Sequence, residues 1–413
     1  MNIVFYGLVL ASFLSALLFS TPAEVGKAAL DSAKSAVELA IGLVGYIALF
    51  LGLMKVVEEA GGLRFMARLI QPVLVRLFPD VPPDHPAMGA MVMNLAANAL
   101  GLGNAATPFG LKAMKELNEL NAEKGTATNA MVLFLAINTS GLALLPTGII
   151  GLRALNGSAD PAAIFPTTLM ATGISTACGI IGAILLSRLP FFRSAPAQVE
   201  ADLAVRQARQ VSTSFVGDVL PLAAFLGLLF GLVAVVYRFG EAASAWILPG
   251  LILLMLTVGV VRGVKVYEVF VVGAREGFAL AVGIIPYLVA ILSAVGMLRK
   301  SGGLEAVTGF LGQFTGPLGL PAEALPLALL RPLSGSGSFG ITAELVQTHG
   351  PDSYVGNLVS TMNGSTETTF YVLAVYFGSV GVTRLRHAVP AGLFADLMGV
   401  VGSVLAVSWL LGR

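Results

Sequence analysis

Long apolar stretches recur along this sequence and limit its possible folds more than any other feature. After an N-terminal run at 2–20, they fall near residues 36–57, 86–103, 126–150, 162–188, 214–237, 243–261, 276–298, 354–380 and 388–411. A helix of about 20 apolar residues crosses a hydrocarbon layer of about 30 Å. Only 11% of the 413 residues are charged, against about 25% in ordinary soluble domains. The sequence therefore predicts an all-α, polytopic transmembrane helical bundle.

The composition excludes several function classes. A formal net charge of +1 provides no basic surface for nucleic acid. One cysteine and three widely separated histidines are too few ligands for a closed zinc site, an iron–sulfur cluster or a disulfide framework, so neither a metal nor another cofactor is expected. The run at 2–20 lacks the positive n-region of a signal peptide, which favours a retained first helix, with cleavage near Ser20–Ala23 as the alternative.

A polar stretch at 191–213 separates two halves of the chain. It contains both acidic residues and arginines without any apolar run, which indicates a solvated linker. Its arginines, with Arg188 beside them, favour the cytoplasmic side of the membrane. The chain then divides into an N-terminal helix and connection at 1–35, a first half at 36–190, the linker at 191–213 and a second half at 214–413.

Two segments that share one order of features indicate an internal repeat. Residues 45–78 and 286–319 each contain an apolar span, charged residues, a Gly-Gly pair and an amphipathic helix. Each half also has a stretch that predicts a broken or re-entrant helix, at 86–103 and 322–340, and later a polar cluster, AINTSG or TMNGST, in which Asn138 corresponds to Asn363. Repeats with broken helices are common in secondary transporters, where the breaks line the solute site.

The first polar cluster, NLAANALGLGNAATPFGLKAM at 94–114, contains Asn94, Asn98, Asn104 and Thr107 within an apolar stretch. Asn94 and Asn98 share one face of a helix and could meet one ligand or one neighbouring helix. The glycines that follow permit an unwound backbone, whose free polar groups are tolerated at membrane depth only against protein or water. The alternative is that these residues only hold helices together.

The second cluster, RPLSGSGSFG at 331–340, places Arg331 in an apolar run ahead of Ser334 and Ser336. A charge at depth costs about 2.5–3.5 kcal/mol on insertion scales, so Arg331 is expected to face a cavity or a partner. Snorkelling of Arg331 to the headgroups is the alternative. No Gly-Lys-Ser/Thr follows, which excludes a phosphate loop. Because neither serine has an obvious histidine base nearby, no enzyme is predicted.

The third cluster, NGSTETTFY at 363–371, contains Asn363, Ser365, Glu367 and Thr368. An intramembrane carboxylate can take up a proton, bind a cation or pair with an arginine. If Glu367 pairs with Arg331 it stays ionised, whereas alone in an apolar cavity its pKa would rise and proton coupling would follow. The sequence leaves both alternatives open.

A further carboxylate, Asp396, stands in the last apolar span. It is a weaker candidate of the same kind, because a loop arginine such as Arg384 or Arg386 could neutralise it. Such pairing would leave Asp396 a structural role only.

These motifs closely resemble two known families. Residues 94–118 and TNAMVLFLAINTSGLALLPTGIIGLRA at 128–154 resemble the spore maturation protein A family, whereas LALLRPLSGSGSFG at 327–340 and residues 349–397 resemble spore maturation protein B. The chain thus looks like a fusion of the two. Both families belong to the nucleoside recognition, or Gate, group, which is similar to segments of concentrative nucleoside transporters and of ferrous iron transport permeases. The resemblance implies a permease-like fold and an association with spore core dehydration, without a settled substrate.

The resemblance and the polar clusters together predict a multi-pass protein of the bacterial plasma or inner membrane that transports a nucleoside-like or small anionic solute. Its expected partners are the lipid bilayer, the solute, protons or a cation, and a second copy of the chain, but no nucleic acid. A membrane scaffold for envelope or spore maturation is the alternative function. The family's signature positions, which are the candidate substrate-binding residues, are Asn94, Asn98, Asn104, Thr107, Asn138, Arg331, Ser334, Ser336, Asn363, Ser365, Glu367 and Thr368.

Overall fold

A computed structural model describes residues 2–19, 22–141, 146–192 and 246–411, with a few residues between 220 and 231. The linker from residue 193 onward and most of the predicted span 214–237 lie outside this part of the chain. The described residues form sixteen α-helices and no strand. The prediction of an all-α helical bundle is therefore confirmed.

The helices fall into two series in chain order. The first contains α1 (Asn2–Phe19), α2 (Pro22–Glu59), α3 (Gly62–Leu77), α4 (Pro86–Ala99), α5 (Gly103–Glu119), α6 (Asn129–Thr139), α7 (Thr147–Leu155) and α8 (Ile164–Ser187). The second contains α9 (Ile247–Val261), α10 (Val266–Lys300), α11 (Gly303–Thr315), α12 (Leu325–Leu330), α13 (Gly335–His349), α14 (Tyr354–Ser365), α15 (Thr369–Ser379) and α16 (Ala388–Leu410). Short 3₁₀ turns lie at Pro161–Ala163, Pro190–Phe192, Gly316–Leu318 and Ala322–Ala324.

Four of these helices are long and apolar enough to cross a membrane. They are α2, α8 with the turn before it, α10 and α16. The chain is thus a multi-pass membrane protein. The predicted spans 126–150 and 354–380 are not continuous, because each is interrupted in its polar cluster to give the pairs α6 and α7, and α14 and α15.

Helices α2 and α10 pack against each other in antiparallel orientation. Gly296 lies beside Ser32, and Gly277 lies beside Ala48. A Cβ atom on Gly277 would lie 2.7 Å from the Cα of Ala48. Position 277 therefore requires glycine, because the two backbones approach more closely than a larger residue allows.

Helices α8 and α16 form a second antiparallel pair. The Ser175 hydroxyl donates to the carbonyl oxygen of Ala395 at 2.8 Å, and Gly402 lies against Ala171 further along. Two long pairs thus support the short, broken helices between them.

The series α2–α8 and α10–α16 have the same order of elements. Each begins with a long helix that ends at a Gly-Gly pair, where Gly61 and Gly302 adopt left-handed conformations with φ of 88° and 76°. Each continues through an amphipathic helix and two pairs of short helices, and ends with a long helix. The first members pack antiparallel to each other, and so do the last members.

The two halves interlock through their short helices. One hydrophobic core contains residues of α4, α5 and α6 together with Leu373 and Phe377 of α15. The other contains residues of α12, α13 and α14 together with Ile149 and Leu152 of α7. Each half therefore contributes one short helix to the core of the other.

Candidate functional site

The breaks after α6 and α14 meet in the interior of the bundle. The backbone N–H of Glu367 donates to the carbonyl oxygen of Thr139 at 2.9 Å. Gly141 has a φ of 65°, and a Cβ atom there would lie 2.7 Å from the Cα of Thr366. This crossing requires glycine at position 141, and it brings the two polar clusters into contact.

A cavity of about 240 Å³ lies at this crossing. Both halves contribute to its wall, which combines polar side chains with apolar ones such as Phe339 and Ile149. The lining residues are Asn98, Gly101, Asn138, Pro146, Thr147, Gly148, Ile149, Arg331, Phe339, Asn363, Gly364, Thr366 and Glu367. Five of the predicted site residues, two from the first half and three from the second, are thus brought together.

Arg331 is a buried member of this wall and follows the last residue of α12. Its guanidinium donates to the carbonyl oxygens of Asn363, at 3.0 Å, and of Thr366, and to the hydroxyl of Thr368 at 3.4 Å. The unwound backbone after α14 therefore supplies the acceptors for this charge. A helix C-terminus also carries a partial negative charge, which favours a cation beside it.

Glu367 lies next to Arg331 but is not tightly bound by it. One carboxylate oxygen of Glu367 is 4.0 Å from a guanidinium nitrogen, and the Glu367 side chain is 55% exposed. Arg331 is paired and buried, so the geometry does not match snorkelling to the headgroups. The Glu367 carboxylate faces the cavity and remains accessible there.

Asparagine amides connect the cavity wall to the surrounding helices. The Asn98 amide donates to Oδ1 of Asn138 at 2.9 Å, and the Asn138 amide donates to the carbonyl oxygen of Phe134 at 2.9 Å. In the second half, the Asn363 amide donates to the hydroxyl of Thr342 at 2.9 Å. These bonds fix the orientation of polar groups at the wall.

Four predicted residues lie outside both cavities, in structural positions. Asn94 is fully buried and its amide donates to Ala106 O at 2.8 Å and to the Tyr376 hydroxyl at 3.1 Å. Ser334 caps α13 through the backbone N–H of Gly337, and Thr368 accepts from Arg331. The hydroxyl of Ser365 lies 3.2 Å from that of Ser403 on α16.

Two further predicted residues take no part in the described wall. Thr107 is half-buried on α5 and lines neither cavity. The backbone of Asn104 belongs to the first turn of α5, and its side chain lies outside the described residues. Asn94 and Asn98, although on one helix face in the sequence prediction, contact different neighbouring helices.

A second cavity, of about 520 Å³, adjoins the first. The two share Gly101, Thr147, Gly148 and Phe339. The wall of the second cavity also contains Ser336 and apolar residues of α2 and α10, and further along it contains Lys55, Glu58 and Glu276. The second cavity therefore extends from the polar site along the α2–α10 pair to a charged region.

Phe339, the aromatic residue that lines both cavities, is not among the residues predicted from the sequence. Phe339 belongs to the motif RPLSGSGSFG. Its position in the same motif as Arg331 and Ser336 could have indicated that it lines the site. Arg153 was not predicted either; it is buried on α7, and its guanidinium donates to the Asp352 carboxylate at 2.9 Å.

The proposed pairing of Asp396 with a loop arginine is wrong. Arg384 contacts Glu123 at 3.4 Å, and Arg386 donates to the carbonyl oxygens of Phe192 and Ala127, each at 2.9 Å. Asp396 instead accepts a hydrogen bond from Thr369 at 2.7 Å. In the part of the chain that the structure describes, no group of three or more His, Cys, Asp or Glu side chains could hold a metal ion.

Comparison with known proteins relates each half to a separate relative. Residues 40–156 and 281–383, just over half of the chain, match the model of the Gate family, described as nucleoside recognition. Spore maturation protein B of Bacillus subtilis (strain 168) is 46% identical over 169 residues, which are 41% of this chain and 95% of that protein. Spore maturation protein A of the same organism is 41% identical over 192 residues, which are 46% of this chain and 96% of that protein. The two matches cover different parts of the chain.

A solved structure of doubly substituted CNTnw in an outward-facing state is similar over 98% of this chain and 91% of that chain. The TM-score is 0.46 and the sequence identity is 12%.

Proposed function

Because this chain belongs to the nucleoside recognition (Gate) family, and joins a spore maturation protein A-like half to a spore maturation protein B-like half, we propose that it is a membrane permease for a small polar solute. The solute would bind in the cavity at the crossing of the two breaks. The larger cavity would connect this site to one side of the membrane.

The observation that carries the proposal is the convergence of Asn98 and Asn138 with Arg331, Asn363 and Glu367 around one cavity. Unwound backbone and polar side chains at membrane depth are costly unless they line water or protein. Here they surround a space of about 240 Å³, which is open to the larger cavity. A protein that needed these residues only for packing would not require that space.

The charges at the site favour a neutral polar solute over a strongly anionic one. Arg331 already donates to three protein acceptors, and Glu367 adds a negative charge to the same wall. Amide groups of Asn98 and Asn363 suit hydroxyls or carbonyls, and the ring of Phe339 offers a surface for stacking. A nucleoside combines these features, in agreement with the description of the family.

The order of helices supports an inverted repeat as the basis of the site. The series α2–α8 and α10–α16 contain the same elements, and their first and last members pack antiparallel. In transporters with inverted repeats, discontinuous helices meet near the membrane midplane and form the site. We infer the same relation here, with the crossing of Gly141 and Thr366 at its centre.

A membrane scaffold remains the second candidate, and hydrogen bonds between helices favour it. Thr167 and Thr361 hydroxyls lie 2.8 Å apart, and Ser140 and Thr176 hydroxyls lie 2.9 Å apart. Such contacts are common means of joining membrane helices. The names of the two relatives refer to spore maturation and mention no transport.

Cysteine labelling with solute protection distinguishes the two functions. In a Cys178→Ser background, we expect Asn98→Cys and Ser336→Cys to react with a hydrophilic maleimide in native membranes, because these positions line the cavities. Ser365→Cys is the matched control and should not react, since Ser365 is fully buried against α16. Added uridine or adenosine should slow the labelling of Asn98→Cys.

Two results would contradict the permease. Equal protection of Asn98, Ser336 and Ser365 cysteines from the maleimide would mean that no aqueous cavity exists, which favours the scaffold. Reactive cysteines at 98 and 336 without protection by any nucleoside or small anionic metabolite would exclude a solute site of this class.

A further inference from the structure

Asp396 is the only charged residue in the membrane-spanning helix α16. Its side chain is buried, with 5% of the residue exposed. Oδ2 accepts a hydrogen bond from the Thr369 hydroxyl at 2.7 Å, whereas Oδ1 has no hydrogen-bond partner among the described residues. A single hydrogen bond offsets only a small part of the free-energy cost of removing a carboxylate from water.

The elements packed against α16 provide no base or cation within pairing distance. Helices α6, α8, α14 and α15 contact it, and their ionisable side chains are Cys178 on α8, Tyr354 on α14, and Tyr371 and Tyr376 on α15. The full charges that act on Asp396 are those of Arg331 and Glu367. Neither forms a salt bridge with Asp396, and the two lie 4.0 Å from each other.

A buried carboxyl group without a paired cation is more stable when it is neutral, because burial penalises the charged form. The two oxygens of Asp396 also differ in their surroundings, because no donor among the described residues stabilises a negative charge on Oδ1. Oδ2 accepts from Thr369 as a carbonyl oxygen does, and Oδ1 is left to hold a proton. We propose that Asp396 is a proton-binding site within the membrane, with the proton on Oδ1.

This site lies directly behind the proposed solute site. Thr369 is the first residue of α15 and follows Thr368, which accepts from Arg331. With Asp396 protonated, the charges of Arg331 and Glu367 balance each other. Loss of the proton adds one negative charge behind them, so proton binding changes the net charge of the site from −1 to zero. This consequence rests on the proposed function, whereas the proton-binding site itself does not.

Infrared spectroscopy tests the proton site without any solute. Purified protein in liposomes should show, at neutral pH, a C=O stretching band of a protonated carboxylic acid. We expect Asp396→Asn to lose this band and Glu367→Gln to keep it, because the Glu367 side chain is exposed to the cavity. A difference spectrum between wild type and Asp396→Asn that contains only carboxylate bands would overturn the proposal.

A second variant covers the case in which Asp396→Asn does not fold. Thr369→Val keeps the carboxyl group and removes the hydroxyl that donates to Oδ2. The acid band should then move to higher frequency, since its carbonyl loses a hydrogen bond. An unshifted band would assign the proton to another group and refute the proposal. Because no solute is present, either outcome leaves the cavity-labelling test independent.

Discussion

Among the described residues, two arginine–carboxylate pairs connect the halves, and they differ in burial. Arg153 is fully buried and pairs with Asp352 of the second half at 2.9 Å, whereas the Arg384 side chain is 77% exposed and pairs with Glu123 of the first half at 3.4 Å. Removing one partner of a buried pair leaves an uncompensated charge, which is far more costly than the loss of a surface pair.

We therefore expect Asp352→Asn to lower the free energy of unfolding by about 2 kcal/mol, somewhat below the range for fully buried pairs because the Asp352 side chain is 47% exposed. Glu123→Gln, the matched change at the exposed pair, should cost at most about 0.5 kcal/mol. Thermal unfolding in detergent measures both. Equal losses of unfolding free energy in the two variants would mean that the burial of Arg153 does not strengthen the contact between the halves.

At the residue scale, many residues of the cavity wall could be predicted from the sequence, because polar groups are costly in lipid and need a partner. Asn98, Asn138, Arg331, Asn363 and Glu367 all line it. Ser334 and Ser365 come from the same clusters but serve as a helix cap and a helix–helix contact. Polarity shows that a buried group needs a partner, but the three-dimensional packing decides whether that partner is a helix or a cavity.

At the scale of elements, a close contact between the halves depends on glycine. Gly277 faces the backbone of α2, whereas Gly283 on the same helix has open space where its Cβ would be. Gly277→Ala should lower the free energy of unfolding by about 1–3 kcal/mol through overpacking. Gly283→Ala should be neutral or stabilise by up to about 1 kcal/mol through its helix propensity. Equal melting temperatures for the two variants would contradict the close approach of the α2 and α10 backbones at Gly277.

The long helices α8 and α16 were easier to predict than the breaks after α6 and α14. Residues 162–188 and 388–411 match α8 and α16 to within a few residues, because hydrophobic length alone determines such spans. The spans predicted at 126–150 and 354–380 contain breaks that hydropathy does not reveal. The positions of these breaks depend on hydrogen bonds between backbone groups of the two halves, such as the bond from the Glu367 N–H to the Thr139 carbonyl oxygen.

At the scale of the whole molecule, basic residues gather at one end of the bundle. Arg386 contacts both Phe192, next to the linker, and Ala127, in the connection between α5 and α6. Arg188 and Arg384 belong to the same end of the structure. Arg153 and Asp352 mark the opposite end, where the connection between α13 and α14 lies. The positive-inside tendency then predicts that the α5–α6 connection lies in the cytoplasm.

Labelling from the two sides of the membrane tests this arrangement. In a Cys178→Ser background, Thr348→Cys, at the exposed end of α13, should react with an impermeant maleimide in intact cells. Ala122→Cys, exposed in the α5–α6 connection, should react only in inside-out vesicles. Reaction of both cysteines from one side would contradict the inverted relation of the halves. Reaction of each cysteine from the side opposite to that expected would agree with the proposed inversion, which the antiparallel pairs α2–α10 and α8–α16 support. It would reverse only the predicted orientation, which rests on the arginines alone.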